Sequence, residues 1–290
     1  MKKLMYKGIK GQITSCVSIN YFTQVYTLSN GKYLKIFHPM LLKMHRQNGS
    51  DMEKKVMSAD KLNIIPEIIK PDAGIYYDGL FVGYTMPAAR GIDSTMYEAR
   101  KSIQEKLNLK RYASEFCKLE DAIKRANKKG IAFPDLLTCE NMFIDNGKYQ
   151  FIDFDGIQID GYKVLQMSSL LGNDSQYFTP KYINNKNFFN SNLDKKSLVI
   201  LYYLTVFNVN LNSIGKYNPM IRRLVTLDDM FAAAGITDDD FKQATFLAMC
   251  DKINDNVYIG DLVNKMADEN NLKVTAMDRS GLCMRKLIRK

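Results

Sequence analysis

Residues 131–159 read I-A-F-P-D-L-L-T-C-E-N-M-F-I-D-N-G-K-Y-Q-F-I-D-F-D-G-I-Q-I. Gly130 precedes them as a helix stop, and Asp135 opens a loop that reaches Asn141. Two apolar runs follow, Met142–Ile144 and Tyr149–Ile152, the second broken by Gln150, with D-N-G between them. Asn146-Gly147 is a strong short hairpin signal, because both central residues of a type I′ turn need positive φ. Such a hairpin brings Asn141 and Asp153 together at its open end, and Asp135 can face the same point. Three oxygen ligands converging there suit a hard divalent cation.

Working outward, residues 4–37 read as turn-separated strands. Ile13–Ile19 alternates loosely, Gln24–Leu28 is rich in β-formers, Ser29-Asn30-Gly31 is a tight turn and Tyr33–Phe37 is a third strand. Y-L-K-I-F places Lys35 among apolar neighbours. Ser50-Asp51 is an N-cap pair for a helix with apolar positions at 52, 56, 59 and 62 and Glu53 in its first turn. Two strands around Tyr77-Asp78-Gly79 end at Met86-Pro87. Residues 98–129 have helical periodicity, with Leu107, Leu109, Tyr112, Phe116, Leu119, Ile123 and Ala126 as the core stripe. An apolar helix begins near Asp194, and further helices fall around Thr226–Ala234, Asp238–Met249 and Ile259–Asp268.

These segments in this order resemble the protein-kinase superfamily, in which H-R-D-L-x-x-x-N is followed by D-F-G. G-L-F-V-G-Y-T-M-P, K-I-F-H-P and I-D-F-D-G-I-Q-I further resemble phrases of a bacterial branch of kinase-like proteins. The resemblance covers roughly residues 13–210. It implies an α+β, bilobal fold: an N-lobe of residues 1–87, with a small antiparallel sheet and one helix for nucleotide binding, and a larger helical C-lobe of residues 88–290.

The resemblance also assigns roles. Lys35 clamps ATP phosphates and pairs with Glu53, with Asp51 as competitor; Asn141 and Asp153 hold Mg2+; Asp135 accepts the proton of the attacked hydroxyl. Ser18, Asn20 and Thr23 stand at the glycine positions of the phosphate loop, with Val25 closing the motif, and Tyr84, Thr85 and Met86 form the hinge beside adenine. Asp194 ties down the catalytic loop's backbone. Thr179-Pro180-Lys181-Tyr182 resembles the loop that receives a protein substrate.

Several positions depart from the family pattern. Ser18, Asn20 and Thr23 carry Cβ atoms that keep backbone from hugging phosphates. Tyr33 stands where a small Ala contacts adenine, Leu137 where a Lys reaches the γ-phosphate, and Lys186 where the Glu of A-P-E is expected. F-P-D replaces H-R-D: Phe133 keeps an apolar body able to stack on Phe154, whereas Pro134 removes the cation that answers a phosphorylated loop, so activation by loop phosphorylation is not expected. The Asp135-to-Asn141 spacing is also one residue longer than the pattern.

The expected function is therefore an ATP- and Mg2+-dependent Ser/Thr protein kinase acting on a protein substrate. A catalytically impaired, nucleotide-binding kinase-like scaffold ranks second and a small-molecule kinase third. The net charge of +10 in 290 residues favours acidic partners, including acidic proteins, and nucleic acid ranks last. The tail from Arg279 is basic with interleaved apolar residues, which reads as a solvated end or a docking segment for an acidic partner. Five cysteines without C-x-x-C spacing suggest neither a disulfide framework nor zinc, and the absence of a long apolar run suggests a cytoplasmic chain without membrane contact. Oligomeric state, substrate identity and the role of Asp155 are left open by the sequence.

Overall fold

The computed structural model describes residues 7–19, 21–47, 49–93, 108–134, 141–145, 148–159, 161–164, 189–207, 211, 214, 217–218, 223–224, 226–254 and 256–268. The architecture is α+β, with a five-stranded antiparallel sheet at the N-terminal end and a helical C-terminal part. Among the described residues, no helix is long and apolar enough to cross a membrane.

The sheet contains β1 (Ile13–Ile19), β2 (Thr23–Leu28), β3 (Lys32–Phe37), β4 (Ala73–Tyr77) and β5 (Leu80–Pro87), in the order β1-β2-β3-β5-β4. Its turns follow from local chemistry. Gly31 takes φ 77 after β2, and the Asn30 side chain accepts from Lys32 N–H at 3.1 Å. Asp78 and Gly79 take φ 47 and φ 79 between Tyr77 and Leu80, the pair of left-handed residues that a two-residue hairpin with right-handed twist requires.

Two helices cross from β3 to β4. Helix α1 (Pro39–Gln47) is one the sequence reading did not foresee, although proline at the first helical position and apolar residues at 41 and 42 are its signature. Helix α2 (Met52–Met57) begins where expected, with Asp51 capping Lys54 N–H, and a 3-10 turn continues it over Ala59–Ile64. Met52, Val56, Ala59 and Leu62 are buried as the spacing required.

Helix α3 (Leu109–Asn127) lies inside the helical stretch expected over 98–129, of which residues 98–107 lie outside the described residues. Asn108 has extended backbone and its side chain accepts from Arg111 N–H, so a cap ends the helix there. Tyr112, Phe116, Leu119, Ile123 and Ala126 form its buried stripe, and Leu109 packs partly buried against it. A smaller sheet of β6 (Ile92–Asp93), β7 (Met142–Asp145) and β8 (Lys148–Phe151) follows, with Asp145 paired to Lys148. Asn146-Gly147, the expected turn, lie outside the described residues.

The C-terminal part comprises α4 (Ser191–Phe207), a short ladder of β9 (Tyr217–Asn218) and β10 (Arg223–Leu224), then α5 (Leu227–Ala234), α6 (Asp239–Met249) and α7 (Ile259–Asp268). Thr226 and Asp229 form a reciprocal capping box on α5, and Asp238 caps α6. The T-P-K-Y segment and the tail from Arg279 lie outside the described residues.

One apolar cluster joins both parts. Phe37, Phe81 and Tyr84 of the sheet belong to the same buried set as Phe116 of α3, Phe154 and Tyr202 of α4. Glu120 locks the helical part: this fully buried carboxylate on α3 pairs with Lys195 of α4 and accepts the first amides of α7, Ile259 N–H at 3.2 Å and Gly260 N–H at 2.6 Å. Gly260 lets the chains approach at that junction, since a Cβ there would lie 2.8 Å from Cys117 Sγ and force a neighbour to shift.

Candidate functional site

Antiparallel register sets the sheet side of the site. Ser18 pairs with Val25, Val25 with Lys35, Lys35 with Tyr84 and Tyr84 with Gly74, so these residues form one row across all five strands. Directly opposed residues share a face, so Ser18, Val25, Lys35 and Tyr84 lie on one side. Gly83, next to the row, permits the close approach of β5 to β3: a Cβ there would sit 2.0 Å from the Lys35 carbonyl oxygen.

The opposite side is built by residues 131–134, 141–145 and 148–159. Ile152 N–H donates to the Asn141 carbonyl at 2.9 Å, which puts 141 and 153 at the open end of the β7–β8 hairpin. Phe151 N–H donates to Glu67 C=O at 2.8 Å and Ile69 N–H to Phe151 C=O at 2.9 Å, fastening β8 to the segment that leads into β4. Gln150 accepts from Arg90 N–H at 2.6 Å.

Ala132 and Gln158 exchange backbone hydrogen bonds of 3.1 and 2.8 Å, so the segment before Asp135 runs beside the segment after Asp155. Asp194, fully buried, accepts Phe133 N–H at 2.9 Å and the Asn127 amide at 2.6 Å, which is the backbone tie expected of it. The Gln158 side chain donates to Phe189 C=O at 3.1 Å and accepts Phe189 N–H at 2.7 Å.

Where the two sides meet, Lys35 Nζ donates to Asp153 and, at 2.6 Å, to Asp155. Asp153 is held in left-handed backbone, φ 71 and ψ 55, immediately before a 3-10 turn of Phe154–Gly156. Tyr84 hydroxyl donates to Asp155 at 3.1 Å. Lys55 of α2, with no exposed surface, donates to the Asp155 carbonyl at 2.7 Å and lies 5.5 Å from the Phe154 ring centroid.

These contacts shape the charges. Burial acts to depress the Lys35 ammonium, but the two carboxylates more than offset it and hold its pKa well above the ordinary value. Burial acts to raise Asp155, yet Lys35 and Lys55 bring it down to about 2. Asp153 is pushed up by burial and then by its neighbour Asp155, against the pull of Lys35. The two carboxylates share one ammonium, and Asp155 alone of the two also takes the Tyr84 hydroxyl. Asp153 is the more open of the two, with 23% of its side chain exposed against 13%. Lys55 is lowered to about 8 by burial, with the carboxylates resisting.

The expected site residues divide accordingly. Lys35 and Asp153 come together, and Asn141 lies beside them in the backbone. Glu53, expected against Lys35, instead accepts the Tyr76 hydroxyl at 2.9 Å, since the first turn of α2 faces β4. Its competitor Asp51 is occupied as the cap of α2. Tyr84 and Thr85, expected beside adenine, sit between β3 and β4 with buried side chains, so Tyr84 reaches the charge cluster. Met86 is paired to Tyr33 and buried. Thr23 is buried at the start of β2, Ser18 is exposed, and Val25 lies between Ser18 and Lys35. Asp135 and Asn20 lie outside the described residues.

Asp155, Lys55 and Tyr84's hydroxyl were not foreseen as parts of the charge cluster. Lys55 was detectable, because it falls on the same helical face as Met52, Val56 and Ala59. The donors Asp153 and Asn141 are oxygen-bearing and suit a hard cation such as Mg2+. No group of three or more His, Cys, Asp or Glu able to hold a metal occurs among the described residues. No protein-family model matches the chain, and no curated protein is significantly similar to it.

Proposed function

We propose that the chain is an ATP- and Mg2+-dependent phosphotransferase of the protein-kinase-like superfamily that phosphorylates Ser or Thr hydroxyls of a protein. The observation that supports it is the meeting of Lys35, on the central strand β3, with Asp153, at the mouth of the β7–β8 hairpin, across a separation of 118 residues. A buried cation facing a more open carboxylate is the arrangement that phosphate and a divalent ion require together.

In this reading Lys35 binds the α- and β-phosphates, and Asp153 with Asn141 holds Mg2+. The bound cation supplies neutralisation of the charge on the phosphates. Asp135 orients the attacking hydroxyl and accepts its proton. The hydroxyl oxygen bonds to the γ-phosphorus as the bond from that phosphorus to the bridging oxygen breaks, and ADP departs with the bonding pair. Catalysis of this kind is positioning plus charge stabilisation.

The second reading is a nucleotide-binding scaffold without transfer. It is favoured by the double carboxylate clamp on Lys35, which competes with phosphate for the same ammonium.

Thermal unfolding of wild type and Asp153→Asn, with ATP and Mg2+ separately and together, tests the proposal. At a ligand concentration about a hundredfold above Kd, stabilisation is about 2.7 kcal/mol. A shift that needs both components, accompanied by transfer of the γ-phosphoryl to protein and lost in the variant, is the expected result. A shift without transfer selects the scaffold, and no shift refutes both readings.

A further inference from the structure

A lysine with no exposed surface is costly unless its ammonium has a task. Lys55 sits on the inner face of α2, two residues beyond Glu53, and spends a hydrogen bond on the backbone carbonyl of Asp155. That residue's side chain takes Lys35 at 2.6 Å and Tyr84 at 3.1 Å. The chain Lys55 to Asp155 to Lys35 therefore links α2 to β3 through the segment after β8, whereas the acid of α2 is turned away toward Tyr76.

We propose that Asp155 and Lys55 are the positioning pair of this site: Asp155 is the fixed counter-ion that aims Lys35, and Lys55 fixes Asp155 from α2. The geometry separates the work of the two acids. Asp155 is held by three donors from three elements, Lys35 of β3, Lys55 of α2 and Tyr84 of β5. Asp153, whose side chain is the more exposed, is held among these donors by Lys35. The inference rests on the reading of Lys35 as the phosphate-binding cation for its purpose, though not for its contacts.

The test labels lysines with an amine-reactive activated ester and quantifies Lys35 by peptide mass spectrometry in the full chain without nucleotide. Wild type, Asp155→Asn, Lys55→Met, Lys55→Gln and Asp155→Asn/Lys55→Met are compared. Lys196, buried and paired with Asp251 at 2.6 Å in the helical part, is read from the same digest as a control for loss of fold.

Removing one of the two carboxylates that hold Lys35, with Asp153 still in place, is expected to raise its labelling rate about tenfold in Asp155→Asn. A smaller rise is expected in both Lys55 variants, and a rate in the double variant equal to that of Asp155→Asn. Lys196 is expected to keep its wild-type rate. An unchanged Lys35 rate in Asp155→Asn, multiplying effects in the double variant, or Lys196 rising in step with Lys35 would each overturn the proposal.

Repeating the labelling with Mg2+ and ATP separates this inference from the functional reading. Protection of Lys35 by nucleotide in wild type supports phosphate binding. Its absence, with the variant pattern intact, removes the nucleotide and leaves the positioning pair standing.

Discussion

Replacing Glu120 by Gln removes the negative charge facing Lys195 while preserving shape. The amide oxygen still accepts one amide of α7 while the other faces the NH2 group, and the Lys195 ammonium, with 6% side-chain exposure, is left with the Val257 carbonyl at 2.8 Å and the Tyr258 ring centroid at 5.6 Å. Breaking one side of a buried pair costs about 3–5 kcal/mol. For a chain of this size that corresponds to a fall of roughly 6–20 °C in melting temperature. In Glu120→Gln/Lys195→Met the uncompensated charge is gone, at the cost of an unpaired Val257 carbonyl. The double variant is expected to be more stable than the sum of the single losses by about 2 kcal/mol, within the range of couplings between contacting residues. Differential scanning calorimetry with urea titration of all four proteins measures the coupling. Strict additivity would refute the assignment of Glu120 and Lys195 as one buried unit.

Two further outcomes follow from the same contacts. Gly83→Ala drives a methyl into the Lys35 carbonyl oxygen, so it is expected to lower stability by about 1–3 kcal/mol or more and to weaken any Mg2+-ATP thermal shift; wild-type stability in that variant contradicts the packing described. His45 is buried and held down to about 4, first by burial and then by Lys55, while an unfolded histidine titrates near 6.5. As pH falls below 6.5 the unfolded chain takes up a proton that the native one refuses, so about 3 kcal/mol of stability is lost between pH 6.5 and 4. Urea midpoints from pH 7.5 to 4.5 should show this loss in wild type and not in His45→Leu; identical pH dependence in both proteins would sink the attribution.

Much of the scaffold was legible because local rules determine it. Alternation with Gly31 and Asp78-Gly79 located four strands, Asp51 marked the start of α2, and the stripe from Tyr112 to Ala126 marked the buried face of α3. The Asp194 tie to Phe133 was likewise readable from order along the chain. The partner of Lys35 was not. Glu53 and Lys55 are two residues apart on one short helix, and which of them faces the interior depends on how α2 rolls against β4, a tertiary matter that spacing leaves undetermined. The counter-ion arrives from 120 residues downstream, set by the bridge of Ile68 to Phe151 and the Ala132–Gln158 pairing rather than by any local pattern.

The sheet's first strand carries a kinetic consequence. Every residue of β1 is exposed, among the described residues it pairs with β2 alone, and its register slips between Ile13 and Ser15 and again between Cys16 and Ser18. Backbone amides there should exchange with deuterium through fraying that requires little free energy, whereas those of β3 and α3 await cooperative opening. Anything that settles beneath β1 would therefore be recorded first as slowed exchange along residues 13–19, while the slowest amides of the molecule keep their rates.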